Sequence, residues 1–398
     1  MSSEPPLLPL LQQEIRARGP LPFARFMEAC LCHPQFGYYN TERPKLGKSG
    51  DFYTSAHVAP VLARILARHW ESSWQRLGRP ARFDLVELGP GHGSLAEEVL
   101  SWLRERYPEF FAALRYTGVE QSAPLRARVE EKLREFADRA RITNDFPGET
   151  SDETAGICGC VFANEFFDAL PVHILVWRKG RWRERMVGVK RERLVWVEKD
   201  PSLPGLAQQA DLYFDPALAM DDRPDGPSDG PPDGPPDGPP DGWTAEIRPQ
   251  AGEWMQHISG SITQGEVLIV DYGYTLDEWR GGRFPEGSAL AYRGHQVSED
   301  LLGRPGDQDL TAHVNFTELA EAGQAFGLKL VSLESQARFL LSVGEPDEFA
   351  DVFADCPADA ERQRRAQLLK TLIVPQAMGE AFRVLRMEKR LKYETGRV

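Results

Sequence analysis

The chain predicts an α/β fold, a mainly parallel sheet covered by helices on both faces, and three features point there. The stretch "LVELGPGHGSLAEEVL", residues 85–100, reads as a buried strand, a tight glycine turn and a helix. Strand-like and helix-like segments alternate from Phe83 onward, which parallel strands with crossover helices require. With 398 residues, 41% of them hydrophobic, the chain can bury a large core as one α/β domain carrying insertions, or as two domains.

Residues 1–80 are expected to be helical. In "HVAPVLARILARHWESSWQRLG", Val58, Leu62, Ile65, Leu66, Trp70 and Trp74 recur at helical spacing and mark a core-facing stripe. Arg64 and Arg68, one turn apart, are expected in solvent. Residues 81–173 form the first half of the sheet. "FDLVELG" is its first strand, a helix at 94–106 follows, and "RYTGVE" is a second strand ending in Glu120. A helix at about 122–138, a short strand near Ile142 and the apolar strand "CGCVFANEFFDALPV" with its polar end complete that half.

The alternation stops at 174–263, an insertion between the fourth and fifth strands. "ILVWRKGRWRERMVGVKRERLVWVEKD" reads as two or three antiparallel strands turning at Lys179-Gly180. The repeat "RPDGPSDGPPDGPPDGPPDG", 223–242, buries no core and is expected as a disordered or polyproline-like loop. A helix near 247–260 closes the insertion. Residues 264–398 supply the second half, with strands "EVLIVDYGY", "LKLVSLES" and "AFRVLRMEK".

Net charge is −13 and no Lys/Arg block is long enough to track a polyanion, so nucleic acid is not the expected partner. The arginines at 178–193 are interrupted by Glu184 and read as a solvated hairpin or a protein-docking edge. Five cysteines, an odd and low number, suit a reducing compartment. The spacing of Cys30-x-Cys32 and Cys158-x-Cys160 is shorter than structural zinc sites use, and no metal is expected. No basic-then-apolar leader opens the chain and no apolar run matches a bilayer span, so a cytoplasmic location without membrane insertion is expected.

The glycine turn chooses the cofactor. Its spacing is Gly89-x-Gly91-x-Gly93 followed by Ser94, not the Gly-x-Gly-x-x-Gly of dinucleotide sites. Glu87 stands two residues before the first glycine, which matches the first motif of class I S-adenosylmethionine-dependent methyltransferases. There the acid faces the cationic methionine portion of the cofactor. Glu120, ending the second strand, suits the ribose hydroxyls but would serve a nicotinamide dinucleotide equally. Asp145, after the third strand, is placed for the adenine amino group. The expected fold is therefore the Rossmann-like class I methyltransferase fold, with S-adenosyl-L-methionine as cofactor.

Several stretches together, "FGYYNTERPKLGKSGDFYTSAHVAP", "VELGPGHGSL", "NEFFDALPVHILV", "VLIVDYGY" and "RPGDQDLTAHVNF", resemble the MidA family of methyltransferases, which includes the mitochondrial complex I assembly factor and its bacterial relatives. The resemblance spans nearly the whole chain and implies a protein arginine as acceptor, possessed in the mitochondrial member by a complex I subunit. One departure is "AHVAP", 56–60, where the family commonly reads Pro-Glu-Ile-Ser-Gln.

A guanidinium is a poor nucleophile, because its lone pairs are delocalised and its pKa exceeds about 12. Carboxylates that grip two of its nitrogens can localise charge away from the third. "NEFFDALP" offers Asn164, Glu165 and Asp168 within five positions. Glu165 and Asp168 are the expected clamp, with Asn164 organising backbone or cofactor. For Asp168 the alternative is a helix N-cap. Asp271, beside Tyr272, is the next catalytic candidate, its alternative a solvated strand end. His313 in "DLTAHVNF" is the candidate proton acceptor, its alternative an ordinary hydrogen bond. Gly50 and Asp51 in "GDF" are expected to close over the cofactor from a lid. Other readings are a small-molecule acceptor, a non-catalytic cofactor-binding assembly factor, or a nicotinamide oxidoreductase.

Overall fold

A computed structural model of the chain describes residues 5–41, 55–147, 156–215, 238–294, 296–356 and 358–390, with the side chains of 55–57 outside the description. Gly50, Asp51 and most of the 223–242 repeat lie outside the described residues. The chain forms two compact units, one of residues 1–41, 169–251 and 274–318, the other of 42–168, 252–273 and 319–398. The segment 1–80 is thus divided, and 274–318 joins the insertion rather than the second half of the sheet. Sequence order could not reveal this, because it records neighbours along the chain and not in space.

The second of these units carries the central sheet. Its strands are β1 (Phe83–Leu88), β2 (Leu114–Val119), β3 (Ala140–Thr143), β4 (Ile157–Asn164), β5 (Ile262–Tyr274), β6 (Lys329–Ser335) and β7 (Phe382–Lys389). They lie in the order β3-β2-β1-β4-β5-β7-β6. β1 through β5 pair in parallel, whereas β7 runs antiparallel to both β5 and β6. Every residue of β1 is buried, as a strand covered on both faces must be. The chain builds outward from β1 to β3, then returns to place β4 on the other side of β1. That reversal opens a crevice outside the carboxyl ends of β1 and β4.

Helix α1 (Ser55–Arg76) and helix α2 (Ser94–Arg106) pack on this sheet. The predicted stripe of α1 is buried from Val58 to Trp74, and Trp70 meets Phe162 of β4 edge-on at 5.2 Å. Arg64 departs from expectation: only 9% exposed, it lies over the Trp102 ring and donates to Asp355 at 2.8 Å and to the Asp351 carbonyl at 2.9 Å. A guanidinium can be buried there because its donors are met and its flat face rests on an aromatic ring. Helix α3 (Ala123–Lys132) follows β2, capped by the Ser122 side chain.

The other unit contains helices Leu7–Arg18 and Phe23–Cys32 and an antiparallel sheet built on strands His173–Arg178, Arg181–Lys190, Arg193–Lys199 and Thr244–Ile247. The tight turn falls at Lys179-Gly180, both with positive φ (49° and 81°), the backbone that matches hairpin twist. Two of its arginines are paired, Arg178 with Glu198 and Arg183 with Asp200. Cys30 and Cys160 are core thiols, each pushed well up by burial. Among the described residues no helix is long and apolar enough to cross a membrane, and no His/Cys/Asp/Glu group could hold a metal ion.

Candidate active site

Apart from Gly50, Asp51 and His313, the expected site residues stand at or just beyond the carboxyl ends of the parallel strands. Glu87 is the penultimate residue of β1, and the glycines follow the strand. Gly89, Gly91 and Gly93 all adopt positive φ, 64°, 56° and 71°, which only glycine takes without strain. A Cβ at Gly89 would come within 3.0 Å of the Phe166 ring, and one at Gly93 within 3.0 Å of Val129. At Gly91 nothing lies within 4 Å, so the middle of the turn faces open space. Gly93 caps α2 in the left-handed conformation.

The Glu87 carboxyl is buried beneath this turn. It accepts a hydrogen bond of 2.5 Å from the Tyr116 hydroxyl on β2. Burial pushes Glu87 up to about 7, and the hydrogen bond from Tyr116 pulls the other way. Glu120, after β2, accepts the Ser122 amide on Oε1 at 2.8 Å. Asp145, after β3, is exposed in a turn where its amide donates to the Thr143 hydroxyl at 3.1 Å. Neighbouring Phe146 is buried edge-on against Trp254, which also meets Phe166 at 5.1 Å. The cradle fits an adenosyl amino acid: open backbone at Gly91, acids at three successive strand ends, and an aromatic wall beside them.

Asn164 ends β4, and the residues from Glu165 to Asp168 form a turn beyond it. Glu165 has φ of 50°, unusual for a residue with a side chain, and its amide donates to the Val270 carbonyl at 2.9 Å. Burial, then the nearby Asp168, push Glu165 up to about 7, while an Asn164 amide donor at 3.2 Å favours its charged form. Asp168 is buried at 4% exposure, and no helix begins after it, so the N-cap alternative fails.

Asp271 corrects an expectation. It is neither a solvated strand end nor presented as a substrate carboxylate, because it is 0% exposed and accepts three backbone amides. These are Phe167 at 3.0 Å and Asp168 at 3.2 Å on one oxygen, and Tyr272 at 3.0 Å on the other. Its carboxylate holds the Glu165–Asp168 turn. His313 is a second correction. It belongs to the other compact unit, where burial first, then Arg283 and Arg248, lower it to about 4. A base that weak is a poor proton acceptor at neutral pH. Tyr116, Phe166 and Trp254 went unread in the sequence, since each matters only through a partner on another strand or helix.

A family model described as "Putative S-adenosyl-L-methionine-dependent methyltransferase" matches residues 65–333. The mitochondrial protein arginine methyltransferase NDUFAF7 of Rattus norvegicus is 30% identical, with 95% of this chain and 83% of that protein aligned. The human protein of the same name is 27% identical over 98% of this chain and 85% of its own length. A crystal structure from Burkholderia thailandensis with S-adenosyl-homocysteine bound superposes with a TM-score of 0.80 at 28% identity, covering 96% of this chain and 92% of that one. The cofactor is accordingly S-adenosyl-L-methionine, and the nicotinamide alternative left open by Glu120 is set aside. The relatives are named mitochondrial, which overturns the cytoplasmic expectation. A low cysteine count reports a redox environment and carries no address.

Proposed function

We propose that a protein arginine is the methyl acceptor, on the premise that this chain belongs to the S-adenosyl-L-methionine-dependent methyltransferase family. When bound, the cofactor supplies an electrophilic methyl group on a positively charged sulfur. The glycine turn, Glu87, Glu120 and Asp145 hold and orient it, with Asn164 at its edge.

The observation that carries the arginine reading is that Glu165 and the buried Asp168 share one turn, where Asp168 acts electrostatically on Glu165. Burial, then the like charge of Asp168, disfavours an ionised Glu165 and pushes it up to about 7. A guanidinium between them relieves both effects, keeps the carboxylates ionised and leaves one nitrogen to attack. The relatives' names point to the same acceptor. A subunit of respiratory complex I is the proposed partner, on the family resemblance. The acidic net charge of −13 suits an arginine-bearing protein segment better than a nucleic acid.

The test is methyl transfer from labelled cofactor into an extract of cells lacking this protein, with amino-acid analysis of the product. Labelled methylarginine in a discrete protein is expected, falling by about 100-fold or more with Glu165→Gln or Asp168→Asn as transition-state contacts are lost. Label in another amino acid or a small molecule, with S-adenosyl-homocysteine binding intact, would defeat the arginine reading.

A further inference from the structure

We propose that Tyr116 is a positioning residue for the methyl donor, its hydroxyl orienting the Glu87 carboxylate towards the cationic amino-acid end of the cofactor. The proposal rests on reading Glu87 as a donor-binding residue. Tyr116 lies on the adjacent parallel strand, β2, in register with Leu85 two residues before Glu87, and is 2% exposed. Its hydroxyl reaches Glu87 Oε2 at 2.5 Å. The surroundings leave little choice of partner. Trp70 of α1, Leu95 and Val99 of α2 and Phe162 of β4 line the same space with apolar surface. A Cβ on Gly118 would stand 3.2 Å from the Tyr116 hydroxyl and 3.2 Å from Pro90 of the glycine turn, so the phenol tip and that turn border the same point.

The electrostatics follow from this placement. Among the described residues lining that space, the titratable group facing Glu87 is Tyr116, with Glu120 acting on Tyr116 from the end of β2. His92 follows in the glycine turn itself. Burial alone favours a protonated Glu87, and a protonated carboxyl has no charge to offer a cation. The phenol donates to the ionised form and so keeps a carboxylate available near neutral pH. Ligand affinity should therefore rise as pH climbs through about 7, the value to which Glu87 is pushed. Without the hydroxyl the rise should come at higher pH.

Titration calorimetry with S-adenosyl-homocysteine between about pH 6 and 9 tests this on three full-length proteins. The ligand's own amino group titrates identically in all three, so differences between curves belong to the protein. Tyr116→Phe keeps the ring and removes one oxygen. It should weaken binding about tenfold at pH 7 and move the midpoint upward, since a hydrogen bond to a charged group is lost. Glu87→Gln should weaken binding at high pH and abolish the protein's midpoint. If Glu87→Gln binds and titrates like the wild type, the Glu87 premise falls and the proposal with it. If Glu87→Gln is weakened while Tyr116→Phe matches the wild type in affinity and midpoint, the Tyr116 role alone is overturned. Thermal melting checks that Tyr116→Phe is folded. Should it not fold, the wild-type and Glu87→Gln curves still test the premise, because coincident midpoints overturn the Glu87 reading and the proposal with it.

Discussion

Gly89 and Gly91 share a backbone conformation but sit in different surroundings, and substitution should separate their roles. Alanine at either forces a left-handed φ on a residue with a Cβ, which costs about 1 kcal/mol. At Gly89 the new methyl would also press on the Phe166 ring at 3.0 Å. At Gly91 it would enter open space. Gly89→Ala should therefore lower the melting temperature of the ligand-free protein more than Gly91→Ala does. Gly91→Ala should instead lose affinity for S-adenosyl-homocysteine with only a small change in melting. Melting curves and calorimetry on the two variants measure both quantities, and equal melting losses would contradict the packing account of Gly89.

At the scale of elements, the Glu165–Asp168 turn is held by its neighbour rather than by itself. The end of β5 supplies the Val270 carbonyl to Glu165 and the Asp271 carboxylate to Phe167 and Asp168. A buried amide left without an acceptor costs about 1–3 kcal/mol. Asp271→Ala orphans three of them and should lower stability by several kcal/mol on that scale. Asp271→Asn retains one acceptor oxygen and should fall between. Hydrogen exchange should show faster amide exchange at 165–168 in both variants, with β1 and the glycine turn unchanged. Unaltered exchange in that turn would show that Asp271 does not hold it.

For the molecule as a whole, two carboxyls of the unit that carries the central sheet pull stability in opposite directions with pH. Glu266 on β5 would be raised by burial, but His69, Ser73 and Arg386 bring it down to about 2. Its stabilisation is full above the ordinary value of 4.5 and is lost as pH falls towards 2. Glu165 behaves oppositely. With a folded value near 7 against an ordinary 4.5, it holds a proton in the folded state that the unfolded chain has released. It therefore opposes folding increasingly as pH rises through that window. Glu165→Gln should melt higher than the wild type at pH 8 and equally at pH 4, while Glu266→Gln should melt lower at pH 7. A wild-type-like melt for Glu165→Gln at pH 8 would remove the electrostatic penalty on which the clamp reading depends. Both carboxyls lie in the unit of residues 42–168, 252–273 and 319–398, so its melting is the transition to follow.

What could be read along the chain was what is decided locally. Helix α2 begins and ends where the glycine turn and its 3.6-residue periodicity place it, at Ser94 and Arg106. The hairpin turns at Lys179-Gly180 because those two residues accept positive φ. The acids expected to face the cofactor stand at strand ends because a strand's termination is written in its own residues. Arg64, Asp271 and Tyr116 were misread or unread for one shared reason. Each owes its burial to partners tens to hundreds of positions away, Asp355 for Arg64, Phe167 and Asp168 for Asp271, Glu87 for Tyr116. The same limit hid the joining of 1–41 and 274–318 with the insertion. Sequence alone determined the α/β fold, the glycine cradle and the cofactor, because periodicity and backbone preference act over a few residues. Tertiary structure alone decided which carboxyls are raised by burial and which are spent on backbone amides, because desolvation and hydrogen bonding depend on what the folded chain brings alongside.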